Sequence, residues 1–161
     1  MRIGITGHQR LKDPTLWSWV RQEFDHVLSS IDLPVIGSTS LAVGADQLFA
    51  DAILEHGGSL EVIVPFVNYE FTFSEGHDRQ EYLRLLASAS DQMVLEQFGS
   101  DEEAYLAAGQ CVVDRVNLLL AVWDGRPAAG LGGTADVVSY ALQQGKKLIH
   151  LNPVTLEITE L

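Results

Sequence analysis

Cysteine is almost absent from this sequence, and long apolar runs are absent altogether. Cys111 is the single cysteine among 161 residues, so no disulfide can form within the chain, which is typical of a protein from a reducing compartment. No apolar stretch approaches the roughly 20 residues that span a bilayer, and the N-terminal residues MRIGITG lack the pattern of a signal peptide. We therefore expect a cytoplasmic protein without a membrane partner.

Basic residues are also scarce. Lys and Arg number 10 against 22 Asp and Glu, and the formal net charge is -12 at pH 7. A surface of this charge repels a polyanion, which predicts that nucleic acid is not a partner. A small anion is still compatible with it, because backbone N–H groups and one or two arginines act within a Debye length of about 10 Å. The charge balance therefore favours a small-molecule ligand.

Strand-like and helix-like patterns alternate along the chain. Six short segments rich in β-branched and apolar residues are typical of strands: RIGIT, PVIGS, LEVIVPF, DQMVLE, VNLLLAVWD and KKLIHLN. Amphipathic segments lie between them, which predicts an α/β three-layer fold with a mostly parallel sheet of about six strands and helices on both faces. We expect a single domain over residues 1–161, in which the tail after Pro153 forms either an edge strand or a contact with a second subunit.

Three loops of unusual composition follow strands of this predicted sheet. They read TGHQR after the first strand, GSTSLAVGAD after the second and WDGRPAAGLGGTAD after the fifth. The carboxyl ends of parallel strands share one edge of a sheet, and ligands bind in the crevice outside that edge. The three loops are therefore predicted to surround one ligand site.

The glycine-rich loop before the last helix leads to a specific hypothesis. Gly132 and Gly133 are predicted to adopt positive φ, and Thr134 is predicted to cap a helix whose N-terminal N–H groups bind a phosphate. The alternative is a plain connection with a capped helix and flexible glycines. The loop is not a Walker loop, because no Gly-Lys-Ser/Thr follows, and the first turn lacks the dinucleotide spacing G-x-G-x-x-G.

The other loops supply polar candidates. Asp46 is suited to ribose hydroxyls, or else to the first turn of a helix that begins near it. His8 and Arg10 are candidates for phosphate contact, with a solvated surface pair as the alternative. Arg79, a further phosphate candidate, follows the aromatic-rich segment PFVNYEFTFSEG, which is either a lid over the ligand or a cover for the sheet edge.

Together, IGITGHQRL, GSTSLAVGADQLFADAIL and AVWDGRPAAGLGGTADVVSYALQQGKKLIHL resemble the SLOG superfamily of Rossmann-like domains, named for Smf/DprA and the Lonely Guy phosphoribohydrolases. The resemblance covers nearly the whole chain, from Met1 to Pro153. It implies a Rossmann-like fold, a homodimer and a nucleotide or nucleotide-derived ligand, of which NAD-related and ADP-ribose-type molecules are examples. The candidate ligand-binding residues, with Arg79 and Asp124 added from the loops, are Gly7, His8, Arg10, Ser40, Gly44, Asp46, Arg79, Asp124, Gly132, Gly133 and Thr134.

One departure from the superfamily bears on catalysis. Lonely Guy enzymes and nucleoside deoxyribosyltransferases resemble this chain at the Gly-Thr step but carry a glutamate three residues after the threonine, where this chain has Val137. Two functions therefore stay open: a sensor or carrier that binds its ligand without cleaving it, and an N-glycosidic hydrolase or transferase. The second needs a carboxylate near the anomeric carbon, and the candidates are Asp46, Asp124, Asp136 and Glu81.

Neither a metal nor another required cofactor is expected. His26, His56, His77 and His150 form no H-x-x-x-H pair, and no cysteine joins them. Isolated histidines on helix faces are usually surface or packing residues. The expected partner is thus a small nucleotide-type molecule alone.

Overall fold

The alternating segments fold as a single sheet covered by helices on both faces. The computed structural model describes residues 1–127 and 131–161, and within them seven strands form: β1 (Arg2–Gly7), β2 (Ile36–Thr39), β3 (Ser59–Val64), β4 (Asp91–Val94), β5 (Leu118–Val122), β6 (Lys147–Asn152) and β7 (Glu157–Glu160). Their order across the sheet is β4-β3-β2-β1-β5-β6-β7. The predicted Rossmann-like α/β fold is confirmed.

The helices lie where the amphipathic segments predict them. Within the same two ranges they are α1 (Trp17–Ser29), α2 (Ala45–Glu55), α3 (His77–Ala87), α4 (Asp101–Arg115) and α5 (Thr134–Gln143). Short 3-10 turns, Pro14–Leu16 and Tyr69–Thr72, precede α1 and α3. None of the helices in the described part of the chain is long and apolar enough to cross a membrane.

The sheet has one strand more than the sequence predicts. The strands β1 to β6 run parallel, whereas β7 pairs antiparallel with β6, with Leu151 opposite Ile158. The chain reverses direction because the side chain of Asn152 accepts hydrogen bonds from the N–H groups of Val154 and Thr155 at 2.9 and 3.2 Å. Of the two outcomes left open for the tail, the structure therefore shows the edge strand.

Strand β5 is buried on both faces of the sheet, which explains why its sequence shows no alternation of polar and apolar residues. Leu118, Leu120 and Val122 pack in the core cluster that includes residues of α1, α2 and α3. Leu119 and Ala121 point to the other face and pack in a cluster with α4 and α5. Burial on both faces is what a parallel strand between two helix layers requires.

The connections change direction between β1 and β5. From β1 the chain proceeds through β2 and β3 to β4 at one side of the sheet, and from β5 it proceeds through β6 to β7 at the other. The loops after β1 and β5 consequently diverge, and a crevice forms between them. This position determines which side chains meet at the candidate site.

Candidate functional site

A crevice of about 670 Å³ opens at the carboxyl ends of β1, β2 and β5. Its volume lies within the range of small-molecule sites, roughly 300–1,000 Å³. All three of the loops with unusual composition contribute to it. The candidate residues that the structure brings to its lining are Gly7, His8, Arg10, Ser40, Asp46, Asp124, Gly132, Gly133 and Thr134.

Other candidates lie outside the lining. They are Gly44, Arg79, Glu81 and Asp136. Arg79 donates a hydrogen bond to Glu70 at 3.2 Å, and its guanidinium lies 4.5 Å from the centroid of the Phe71 ring. Glu81 accepts hydrogen bonds from Arg84 within the same helix. These contacts hold both side chains on α3 away from the crevice, so neither the phosphate role of Arg79 nor the acid role of Glu81 is supported.

Gly44 and Gly7 allow the first two loops to pack closely against each other. Gly44 has a φ of 90°, and a Cβ there would lie 2.4 Å from the carbonyl oxygen of Gln9 and 2.6 Å from that of His8. A Cβ on Gly7 would lie 2.5 Å from the Cβ of Ala45. The N–H group of Ala45 donates to the carbonyl of His8 at 3.1 Å. Close backbone approach therefore explains Gly44, where the sequence suggested ligand contact.

Asp46 is buried at the base of the second loop, although it borders the crevice. Its Oδ2 atom accepts hydrogen bonds from the Thr39 hydroxyl at 2.9 Å and the Ser40 N–H at 3.1 Å. Burial raises the pKa of Asp46 to about 6, and these hydrogen bonds oppose the rise. The carboxylate thus holds in place a loop in which Leu41 has a φ of 58°. A role in shaping the crevice fits this geometry better than contact with ribose.

The start of α5 differs from the prediction. Gly132 has a φ of 83°, as predicted, but Gly133 is extended, with φ -73° and ψ 170°. Gly133 is itself the N-cap, so Thr134 is the first helical residue and not the cap. The N–H of Gly132 donates to Oδ2 of Asp136 at 2.9 Å, and this bond ties the Asp136 carboxylate, in the first turn of α5, to the preceding loop. The first glycine of the GLGGTAD motif, Gly130, lies outside the described residues.

Gly132 has a packing reason for its positive φ. A Cβ at this position would lie 2.7 Å from the carbonyl oxygen of Glu102 and 3.1 Å from the nitrogen of Leu106, so the loop lies directly against α4. Residues 133–135 follow it along the crevice. Their N–H groups contact no backbone acceptor within residues 1–127 and 131–161. They lie at the positive end of the α5 dipole, where an anion is stabilised.

His8 and Asp124 form a polar pair between the ends of β1 and β5. The Nε2 atom of His8 lies 3.1 Å from the N–H nitrogen of Asp124 and 3.3 Å from its Oδ1 atom. Burial works to raise the pKa of Asp124, but the Arg126 N–H hydrogen bond and the nearby imidazole outweigh burial and lower that pKa. Asp124 is therefore an ionised carboxylate at neutral pH. Arg126 itself lines the crevice and is 83% exposed.

Aromatic side chains form one wall of the crevice. Tyr69 and Phe73, from the segment after β3, line it together with Tyr105 of α4. The ring of Tyr69 lies 5.1 Å from that of Phe73 and 6.2 Å from that of Tyr105, between centroids. Phe71 in the same segment is 62% exposed. The segment therefore lies at the crevice and also packs on the sheet, while its role as a lid over a ligand stays a prediction.

The crevice is apolar at Val137, the position at which the Lonely Guy enzymes that the sequence resembles carry a glutamate. Val137 lines the crevice, is 3% exposed and packs in the core cluster with Ala108 and Val112. A Cβ on Gly109 would lie 2.6 Å from a methyl carbon of Val137, so α4 and α5 pack closely at this point. A valine offers no group that donates or accepts a proton.

Solved structures of other proteins share this architecture. DNA processing protein A (DprA) from Streptococcus pneumoniae matches with a TM-score of 0.63 at 13% identity, over 92% of this chain and 49% of that chain. DprA from Helicobacter pylori matches with a TM-score of 0.63 at 14% identity, over 93% of this chain and 64% of that one. The Moco carrier protein from Chlamydomonas reinhardtii matches with a TM-score of 0.55 at 16% identity, over 94% of this chain and 75% of that one.

The chain shares its fold with the DprA and Moco carrier proteins. It spans 49% and 64% of the two DprA chains that it matches. No protein-family profile matches the sequence, and no curated protein is similar to it. At identities below 20% the similarity establishes the fold, and the ligand has to be inferred from the site.

The prediction that nucleic acid is not a partner is wrong. It is contradicted by the DprA structures, of which the one from Helicobacter pylori is described by its single-stranded DNA binding mode. The prediction used the net charge of the whole chain, whereas charges separated by more than about 10 Å are screened at physiological salt. The total charge of the chain therefore does not exclude a nucleic acid as a partner.

The crevice also contains polar residues that were not among the candidate site residues, with the aromatic Trp123 beside them. Arg126 and Trp123 follow β5, Thr72 and Ser74 follow β3, and Asp78 lies in the first turn of α3. The indole N–H of Trp123 donates to the carbonyl of Arg126 at 2.8 Å, which fixes the ring beside the crevice. Arg126 and Trp123 belong to the WDGRPAAGLGGTAD loop, and Thr72 and Ser74 belong to the aromatic-rich segment, so the composition of both segments pointed to them. Asp78 follows that segment without a motif.

Proposed function

We propose that this SLOG-type protein binds a nucleotide or a nucleotide-derived ligand in the crevice and acts as a sensor or carrier. The observation that carries the proposal is the combination found there: N–H groups at the start of α5, the exposed side chains of Arg10 and Arg126, and an aromatic wall. The N–H groups and the two arginines are suited to a phosphate, and the aromatic wall is suited to a planar base. NAD-related and ADP-ribose-type molecules belong to this class.

Two observations favour binding over cleavage. Val137 takes the position at which the related N-glycosidic enzymes carry glutamate, and it is buried in an apolar cluster. The Moco carrier protein, which shares the fold, is by its description a carrier of the molybdenum cofactor. A fold of this type therefore serves a binding role in at least one other protein. We further propose a homodimer, as the SLOG resemblance implies, and no additional cofactor.

An N-glycosidic hydrolase or transferase is the second candidate, and Asp124 is the residue that favours it. Asp124 is ionised, lines the crevice and lies 3.3 Å from His8, so a carboxylate and an imidazole are both available to a bound ligand. Of the other acid candidates, Asp46 is committed to the second loop, while Asp136 and Glu81 lie outside the lining.

Retention and cleavage are separated by one experiment. The protein is incubated with AMP, NAD, ADP-ribose and a short single-stranded DNA, and then analysed by native mass spectrometry for bound ligand and by chromatography for free base. Retention of a nucleotide without release of base is the expected result. If the unmodified protein releases free base and Asp124→Asn does not, the hydrolase replaces the carrier proposal. If the protein binds only the DNA, both proposals are wrong.

The position of the ligand is tested by a pair of charge-neutralising variants. Arg126→Gln removes a cation from the crevice, whereas Lys147→Gln removes one from the start of β6, at the opposite edge of the sheet. We expect affinity for the retained nucleotide to fall about threefold to tenfold in Arg126→Gln, because a charge-assisted contact with phosphate is lost. Calorimetry on both variants measures it, and equal affinities would place the ligand elsewhere.

A further inference from the structure

Asp78 is an acidic residue of the crevice that belongs to none of the sequence motifs. It lies in the first turn of α3, lines the crevice and has a side chain that is 22% exposed. Its Oδ2 atom accepts a hydrogen bond from Nη2 of Arg10 at 3.1 Å. Since Arg10 follows β1, this ion pair joins the first loop to α3 at the crevice.

The ion pair leaves Arg10 able to change partner. The Arg10 side chain is 74% exposed, and exposed ion pairs contribute little net stability because water screens them. A phosphate in the crevice would compete with Asp78 for the same guanidinium group. The displaced carboxylate of Asp78 would then lie near the phosphate and repel it, and the repulsion increases with the charge of the ligand.

The neighbouring charges of α3 do not share this position. Arg79 is held by Glu70 and Phe71, and Glu81 is held by Arg84, so neither lines the crevice. Among the acidic residues of α3, which are all described, Asp78 is the one that faces the ligand space. Glu81 carries the same charge one turn further along the helix and is a matched control.

We propose that Asp78 is a specificity-determining residue, which holds Arg10 in the empty crevice and limits the negative charge of the ligands that the crevice accepts. The inference rests on the proposed function and adds to it a preference for ligands of low negative charge. Asp78 acts through Arg10 and by direct repulsion, and it takes no part in any bond-breaking step.

The test compares Asp78→Asn and Glu81→Gln with the unmodified protein. Each is titrated with adenosine, AMP and ATP by calorimetry, and with inorganic pyrophosphate by amide chemical shifts, in buffer free of divalent cations. We expect Asp78→Asn to bind AMP about threefold to tenfold more tightly, with a larger gain for ATP and pyrophosphate and none for adenosine. Glu81→Gln should show no gain, and thermal unfolding should confirm that both variants are folded.

The outcomes distinguish the two proposals. Absence of binding by adenosine, AMP and ATP in all three proteins would count against the proposed nucleotide function and leave the pyrophosphate titration to decide the role of Asp78. Equal pyrophosphate affinity in Asp78→Asn and the unmodified protein would overturn that role, as would a loss of affinity in Asp78→Asn. An equal gain in affinity for Glu81→Gln would show that the gain comes from the change in net charge, and it would also overturn the role of Asp78.

Discussion

Asp46 shows how a single buried residue shapes the crevice. A motif reading of GAD places this aspartate at a ligand, yet its carboxylate accepts hydrogen bonds from Thr39 and Ser40 inside the protein. Hydrogen-bond donors point at it, which matches the ionised form, since a carboxylate is an acceptor only. Burial favours the neutral form. The two tendencies oppose each other and give Asp46 a measurable dependence on pH.

We predict that Asp46 makes the protein more stable as the pH falls from 7.5 to 5. Its pKa is about 6 in the folded state against an ordinary value of 3.8, so the folded state binds the proton first between these pH values. This linkage should raise the free energy of unfolding by about 1 kcal/mol over that interval. Asp46→Asn should lack the increase, as measured by urea unfolding at both pH values.

The comparison with Asp46→Asn isolates this residue from the other carboxylates, which titrate in both proteins. Parallel pH dependence in the two proteins would show that Asp46 has an ordinary pKa. The same variant also tests the loop, because hydrogen exchange of residues 39–42 should become faster when an amide replaces the carboxylate.

At the scale of elements, the contact between α5 and α4 decides how the glycine-rich loop is built. Gly132 approaches the α4 backbone closely and has a positive φ, so a side chain meets both a strained conformation and a steric clash. Gly145, at the other end of α5, has a φ of 64° but open space around it. Comparing the same substitution at both glycines therefore separates the cost of a positive φ from the cost of a steric clash.

We predict that Gly132→Ala destabilises the protein clearly more than Gly145→Ala does. Gly145→Ala should lower the free energy of unfolding by about 1 kcal/mol, which is the cost of positive φ alone. Gly132→Ala should lower it by about 2–4 kcal/mol, because α5 must also move away from α4. Chemical denaturation measures both, and equal losses would mean that the loop relaxes without moving the helix.

At the scale of the whole molecule, Glu61 joins segments that are far apart in sequence. It lies on β3, is 2% exposed and accepts hydrogen bonds from Arg2 of β1 and Ser38 of β2, both at 2.8 Å. Arg115 at the end of α4 contacts its other carboxylate oxygen. The hydrogen bond from Arg115, with further help from Ser38 and Arg2, outweighs burial and lowers the pKa of Glu61 to about 2.

We predict that Glu61 contributes to resistance against acid. Because its pKa is lowered in the folded state from 4.5, its stabilisation is present above pH 4.5 and is lost as the pH falls towards 2. Glu61→Gln should lower the free energy of unfolding at pH 7 by about 2–3 kcal/mol and flatten the acid transition. The exposed pair of Glu81 and Arg84 provides the control, since Glu81→Gln should cost less than about 1 kcal/mol.

The sequence predicted which loops line the crevice, but not which groups each of their side chains contacts. It placed three loops at one sheet edge, because the carboxyl ends of parallel strands must meet there. It also placed Gly44 and Asp136 at the ligand. In the structure, Gly44 allows the backbones of two loops to pack closely, and the side chain of Asp136 accepts a hydrogen bond from the loop before α5. Short motifs are shared by ligand contacts and by tight packing, so the letters alone do not distinguish them. Asp78 lies outside the quoted segments, and Arg126 was not singled out within its loop, so the place of both at the crevice became visible only in three dimensions.

The fold class was determined by the sequence itself. Strands buried on both faces and amphipathic helices each have a characteristic spacing of apolar residues, which can be identified within a short segment of the sequence. The polarity of each segment therefore predicted a mostly parallel sheet of about six strands with helices on both faces. Only the tertiary structure decided the seventh strand, the N-cap at Gly133 and the pairing of Arg10 with Asp78. These features depend on contacts between segments up to 68 residues apart. Their geometry is set by packing, which no local pattern encodes.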